Sequence, residues 1–211
     1  MDEWGIDMAL TASQKAIGVP PGLALVVAGR RAMDAFQKRT RPVGSVYSDW
    51  SEWLPIMQAY EGRKPSYFAT PAVNLIWALN VSLKEILAEG MDARFARHRA
   101  LSAAFKAGIQ AIGLRQLPVR PDVQASTLSA VYYPDGVDKS LVKSVDDAGV
   151  IIAGGLHPAL RDKYFRVGHM GALSGGEILA TLGAIESGLG KCGYKFEKGS
   201  GVAAAQQTLA K

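Results

Sequence analysis

The chain opens on an alternation of apolar and polar positions, Ile6, Met8 and Leu10, and returns to an apolar run from Leu23 to Val27. Both read as β-strands, and the polar, proline- and glycine-rich stretch between them reads as their connecting loop. From about 30 to 40 the period becomes helical, with Ala32, Met33 and Phe36 on the inner side, until Arg41-Pro42 stops it. Residues 43–69 are aromatic-rich and irregular, but over Asp49–Tyr60 the positions Trp50, Trp53, Leu54 and Met57 share one helical face. At Thr70-Pro71 a hydroxyl N-cap precedes a proline in the first helical position, where its missing N–H costs nothing. The apolar stripe that follows runs through Val73, Ile76, Leu79, Leu83, Ile86 and Leu87 and ends at Gly90. A second helix is expected over about 91–112, with Phe95, Leu101, Phe105, Ile109 and Ile112 inside and Gly113 at its end.

Past residue 113 the texture changes. Segment 126–133 reads as a strand closed by the turn Pro134-Asp135-Gly136. A short helix near 138–147, a brief strand Val150–Ala153 before Gly154-Gly155, and a strand over Tyr164–Gly171 follow. Ser174 caps a helix over about 175–189 that buries Ile178, Leu182 and Ile185, and the Ala/Gln-rich tail from Gly199 carries no assigned element. This alternation of strands and helices predicts an α/β or α+β unit. No segment repeats.

Composition narrows the classes. At 211 residues, 48% hydrophobic and 20% charged, the chain has enough apolar content for a substantial core. No apolar run approaches the roughly 20 residues of a membrane helix. The nearest, 17–29, is broken by Pro20-Pro21. No basic-then-apolar leader opens the sequence, and a single cysteine, Cys192, excludes an internal disulfide or a multi-thiolate metal site. These features predict a cytoplasmic protein without a membrane partner. The net charge of +5 is modest; its densest source (Arg30, Arg31, Lys38, Arg39 and Arg41) falls on an amphipathic helix and reads as solvated surface, not as a nucleic-acid patch. Mild positive charge also suits anionic substrates and a phosphate-bearing cofactor. His98, His157 and His169 lack ligand spacing, so no metal site is expected.

Two residues carry candidate chemistry. Lys15 lies in the loop between the first two strands, and a lysine held between buried strands sheds water, which frees its amine as a nucleophile. The other reading is a solvated loop lysine. Arg166 interrupts an apolar strand, where an unpaired charge is costly, so an anionic partner is expected. A planar guanidinium makes two parallel bonds to a carboxylate, fixing orientation as well as affinity. Capping and a binding role account for Thr70 equally well and are compatible, and packing among its aromatic neighbours is the alternative to a functional role for Tyr67.

Several segments in order along the chain add a resemblance: Asp2-Glu3-Trp4-Gly5-Ile6-Asp7, Ser13-Gln14-Lys15, Pro20-Pro21-Gly22, Tyr67-Phe68-Ala69-Thr70-Pro71, Arg97-His98, Gly154-Gly155 and Phe165-Arg166-Val167-Gly168-His169-Met170-Gly171. The sequence resembles the C-terminal half of a class V aminotransferase, in the alanine–glyoxylate and serine–glyoxylate branch. The resemblance implies the α/β fold of the fold-type I transferases that depend on pyridoxal 5′-phosphate. Residues 1–89 would be the C-terminal part of the large, cofactor-binding domain, and residues 90–211 the α/β small domain. It implies that Lys15 holds the cofactor as a Schiff base and moves a proton during the reaction. Gln14 would contact the cofactor phosphate. Tyr67 and Thr70 would reach the phosphate of a neighbouring subunit's cofactor, and Arg166 would bind the substrate α-carboxylate. The implied reaction passes an amino group from serine or alanine to glyoxylate, small amino-acid and 2-oxo-acid substrates. Transamination of aminoethylphosphonate or ureidoglycine, and a non-catalytic half-enzyme acting as an assembly module, are the alternatives. Family members carry the glycine-rich phosphate loop, the ring that stacks on the cofactor and the aspartate facing its pyridine nitrogen upstream of the lysine. With Lys15 so near the first residue, all three are expected to be missing; Asp2 and Asp7 do not take the aspartate's place. The expectation is therefore a homodimer, or a pairing with a chain that supplies the N-terminal half, and inactivity without that half.

Overall fold

The computed structural model describes residues 1–211. The chain divides into two compact units, Met1–Lys84 and Glu85–Lys211, with the division inside one helix; the boundary expected after residue 89 lies at that helix's end.

In the first unit, β1 (Met8–Ala12) and β2 (Ala24–Ala28) form an antiparallel hairpin whose register runs from Met8 opposite Ala28 to Ala12 opposite Ala24. The predicted strands are present, but they are not buried: each shows only two half-buried positions and three exposed ones. A two-stranded ribbon has no second layer here to cover both faces. Gly29 turns the chain into α1 (Arg30–Gln37), where Ala32, Met33 and Phe36 are the half-buried side. Arg31 ties this helix to the chain start through Asp7 (2.6 Å) and the Gly5 carbonyl (2.9 Å).

An aromatic cluster organises the irregular stretch. Phe36 packs on Trp50 with ring centroids 5.3 Å apart, and Trp53 meets Tyr47 and Phe68 edge-on at 5.2 and 5.1 Å. These side chains orient α2 (Trp50–Glu61), capped by the Asp49 carboxylate on the Ser51 N–H. Its buried residue is Ile56, not Met57, which is 54% exposed. Trp50, Trp53 and Leu54 are half-buried on the expected face, and Ile56, three residues after Trp53, takes the inward place expected of Met57.

α3 (Val73–Glu89) begins later than Thr70-Pro71 predicts. Its opening bond runs from the Ile76 N–H to the Ala72 carbonyl at 3.0 Å, so Thr70 is not the N-cap. A residue before proline is biased to extended backbone, and the Thr70 hydroxyl is engaged by Tyr67 instead. Along α3 no residue is fully buried: Leu79 and Ile86 are half-buried, while Val73, Ile76, Leu83 and Leu87 stay exposed.

The second unit is an antiparallel sheet in the order β3 (Leu128–Tyr132), β5 (Tyr164–Gly168), β4 (Ala153–Gly154), with helices around it. β4 is shorter and later than Val150–Ala153: Ile151 is 88% exposed, and pairing with β5 begins only at Ala153 opposite Arg166. β5 ends at Gly168, before the expected Gly171, which takes φ +90°. α4 (Met91–Ala111) follows Gly90, and it buries Leu101, Phe105 and Ile109, with Ile112 just beyond its end. Phe95, expected inside, is 51% exposed. The inward stripe reads 94, 98, 101, 105, 109, 112 at helical spacing, which turns Arg94 and His98 inward and leaves Phe95 outside. α5 (Ser140–Asp146) and α6 (Gly175–Lys191) complete the expected elements, and the Ser174–Glu177 capping box starts α6.

The tail is ordered after all. α7 (Ser200–Leu209) crosses α4 where both chains are glycine: a Cβ on Gly108 would stand 2.8 Å from the Gly201 carbonyl. A small-residue crossing of this kind has no large apolar period to betray it. Glu186 of α6 caps α7, accepting from the N–H groups of Gly199 (2.6 Å), Gly201 (2.8 Å) and Val202 (3.3 Å).

Candidate active site

The lysine loop is the most tightly specified piece of the first unit. Ser13 is fully buried. Its hydroxyl donates to the Pro20 carbonyl at 2.8 Å and accepts the Leu23 N–H at 3.4 Å. Main-chain bonds Ser13 N–H to Leu23 O and Val19 N–H to Ser13 O, each 3.1 Å, close the base of the loop. A turn from the Lys15 carbonyl to the Gly18 N–H (3.0 Å), with Gly18 at φ +79°, forms its tip. Two contacts dock it on α3: the Ser82 hydroxyl donates to the Ile17 carbonyl, and Gly22 leaves room for Leu75, whose Cδ1 would be 2.7 Å from any Cβ there. The order of the loop comes from Ser13 and its main-chain bonds, with Lys15 and Gln14 projecting from it.

Lys15 and Gln14 are both exposed. The premise of a lysine enclosed between buried strands does not hold within this chain, because the strands beside it are themselves uncovered. The Lys15 amine has no protein partner, which leaves Nζ available for chemistry. Tyr67 and Thr70 are brought together, with Tyr67 Oη and Thr70 Oγ1 at 2.7 Å. Tyr67 is 70% exposed and so is not core filling. The pair offers two adjacent hydroxyls, each able to donate or accept. A cleft of this unit, about 660 Å³ and lined by Asp7, Arg31, Phe36 and Trp50 among others, does not include Lys15.

Arg166 occupies the middle of the central strand of the second unit. It stands opposite Ala130 on one neighbouring strand and Ala153 on the other. Phe165 and Val167 point the other way into the core. The Arg166 Nε donates to the Gly154 carbonyl at 2.8 Å. Its two terminal nitrogens carry no protein bond, leaving a fixed fork of donors. Tyr164 lies on the same face of β5; its hydroxyl accepts the N–H groups of Leu156 (2.9 Å) and His157 (3.1 Å). Those donors, the His157 N–H foremost, hold the phenol below its ordinary range.

The histidines are structural. His98 Nε2 accepts the Gly171 N–H at 3.1 Å, so Nδ1 carries the proton and donates to the Arg94 carbonyl at 2.7 Å. His169 is fully buried against Ser129 Oγ (3.0 Å) and Phe105, and desolvation pushes its imidazole down to about 4. No three His, Cys, Asp or Glu side chains converge on one point. No helix is long and apolar enough to cross a membrane.

Sequence reading missed a charged cluster at the start of α4. Glu89 accepts from Arg97 through Nε (2.6 Å) and Nη2 (2.9 Å), and from Arg94 Nη1 (2.9 Å). The Arg97 bonds foremost, with the charges of both arginines, hold the Glu89 carboxyl down at about 2. The signal was present in the phase of the α4 stripe, which carries Arg94 and His98 inward as it carries Leu101 and Phe105.

Known proteins resemble this chain over most of its length. The profile of the family described as Aminotransferase class-V matches residues 1–173. The alanine–glyoxylate aminotransferase 1 of Saccharomyces cerevisiae is 44% identical over 176 residues, 81% of this chain and 45% of that protein. The serine–glyoxylate aminotransferase of Arabidopsis thaliana is 34% identical over 211 residues, 99% of this chain and 51% of that protein. Among solved structures, ureidoglycine–glyoxylate aminotransferase from Bacillus subtilis superposes with a TM-score of 0.88 at 31% identity, over 100% of this chain and 54% of that one. The chain thus spans about half the length of the curated relatives it matches.

Proposed function

The chain belongs to the class V aminotransferases, with the fold of the pyridoxal-phosphate-dependent type I enzymes, and from that premise we propose that it acts in transferring an amino group from serine or alanine to glyoxylate. The carrying observation is Lys15: an unpartnered amine on a loop fixed at its base, its tip and its flank.

The donor set fits pyridoxal 5′-phosphate. Lys15 Nζ would hold its carbonyl carbon covalently, and the Gln14 amide would donate to its phosphate. Tyr67 Oη and Thr70 Oγ1 suit the phosphate of a second copy's cofactor, which makes a homodimer the proposed assembly. When bound, the cofactor supplies an electron sink for the negative charge that develops at the substrate α-carbon. Lys15 Nζ would take the substrate α-proton and later return one. Arg166 receives the α-carboxylate on its two free nitrogens, while its Nε stays on Gly154 and fixes the fork's plane. Donor and acceptor both present a carboxylate, so one arginine serves both halves of the exchange. Serine or alanine leaves as its 2-oxo acid and glyoxylate as glycine. The free Cys192 thiol is in keeping with a reducing, cytoplasmic setting.

A ureidoglycine donor is the second reading, favoured by the likeness to the Bacillus subtilis enzyme. Both are tested on the chain paired with a polypeptide that supplies the N-terminal half, by adding pyridoxal phosphate and glyoxylate with each donor in turn and measuring glycine. The proposal expects glycine with serine or alanine, lost on Lys15→Ala and reduced on Arg166→Lys. Turnover with ureidoglycine alone supports the second reading. Turnover that survives Lys15→Ala contradicts both.

A further inference from the structure

The peptide of Gly171 is gripped at both ends. Its N–H goes to His98 Nε2 at 3.1 Å, and its carbonyl accepts Arg97 Nη2 at 3.1 Å. Arg97 Nη1 also donates to the Leu173 carbonyl at 2.6 Å. The same guanidinium is held from behind by both oxygens of Glu89. Arg97 therefore has all three nitrogens committed, its plane set by a bidentate carboxylate and its outer edge spent on two carbonyls of one short segment. His98 is itself locked by the Arg94 carbonyl. All of these groups belong to the second unit, and the segment they hold begins three residues after β5 ends at Gly168.

Arg166 is two residues upstream of that end. Whether its side chain faces Gly154 or the core depends on the phase of β5, since a slip of one residue turns every side chain to the opposite face. Main-chain pairing to β3 and to the two-residue β4 resists a slip along the strand's length. The strand's exit is pinned by the His169 N–H on the Thr127 carbonyl (2.9 Å) and then by the grip on Gly171. We propose that Glu89, Arg97 and His98 form a latch that positions Arg166, fixing the direction of its free donors by clamping the Gly171 peptide at the exit of β5. The proposal rests on the reading of Arg166 as the carboxylate-binding residue; Arg97 and His98 are positioning residues that act through it.

The test reads Arg166 directly by NMR in the full chain. Arg97→Lys keeps the charge but cannot serve both Glu89 oxygens and two carbonyls at once. The latch predicts that solvent exchange of the Arg166 Nε–H and the Phe165 and Val167 amides rises on the order of tenfold, with the Phe105 and Leu182 amides unchanged. If R97K loosens the Phe105 and Leu182 amides as well, Glu89→Gln, which leaves the carbonyl bonds of Arg97 in place, is read by the same criterion. Exchange that rises only at Gly171, or nowhere, overturns the latch. Propionate, an unreactive carboxylate, is then titrated against the same Arg166 Nε–H signal. A shift in the parent chain that needs severalfold more propionate in R97K supports the latch. No shift in the parent chain refutes the carboxylate reading of Arg166 and leaves the exchange result to decide the latch.

Discussion

Replacing Ser13 with alanine tests what holds the lysine loop. The substitution deletes the hydroxyl that donates to Pro20 O at 2.8 Å and accepts the Leu23 N–H at 3.4 Å, and it leaves the two 3.1 Å main-chain bonds at the loop base. A buried hydrogen bond contributes about 1 kcal/mol net, and the longer second bond adds a few tenths. A loss of about 1–1.4 kcal/mol raises the population of the locally open loop about 5- to 10-fold. Native-state hydrogen exchange reads that population directly, so the Val19 and Ser13 amides should exchange about 5- to 10-fold faster in Ser13→Ala. The amides of α4 between Leu101 and Ile109 serve as the internal control and should not move. Unchanged protection at Val19 would show that main-chain geometry alone sets the loop, and that the Ser13 hydroxyl is incidental.

Two further outcomes concern the second unit. His169 is neutral and fully buried, with its pKa pushed from 6.5 down to about 4 by desolvation first and the Lys106 charge second. Between those values the unfolded chain binds the extra proton and the folded one does not, so stability falls as pH drops from 6.5 towards 4, by about 3 kcal/mol over the full window. Urea midpoints across that range should follow this slope, and His169→Gln should flatten it; an equal slope in the variant would refute the assignment. Glu186→Ala strips the N-terminus of α7 of its carboxylate and should cost about 1–2 kcal/mol, with Glu186→Gln recovering part. An unchanged urea midpoint in the alanine variant would mean that water caps the helix equally well.

Element order was largely legible because the period of the apolar positions carries it. β1, β2, α1, α3, α4 and α6 follow from spacing alone. The departures have physical causes at named residues. Thr-Pro is a strong local signal for a cap at Thr70, but the Thr70 hydroxyl is taken by Tyr67, and the helix opens on Ala72 instead. An apolar Phe95 points to the inside, whereas the helical phase gives that place to Arg94 and His98, whose polar atoms find partners there. α7 escaped because a glycine crossing replaces bulk with proximity. For the candidate site, the residue types pointed to Lys15, Gln14, Tyr67, Thr70 and Arg166. The supports did not show: Ser13, Ser82 and the Glu89–Arg97 fork act through bonds to backbone or to residues distant in sequence, and no local pattern records these.

The account stands or falls on Lys15 Nζ. The deciding measurement is borohydride reduction, with pyridoxal phosphate, of the chain paired with a polypeptide that supplies the N-terminal half, followed by peptide mapping. A stoichiometric pyridoxyl group on Lys15, absent in Lys15→Ala, is the predicted result. Label spread evenly over exposed lysines such as Lys38 and Lys64, with no preference for Lys15, would contradict it.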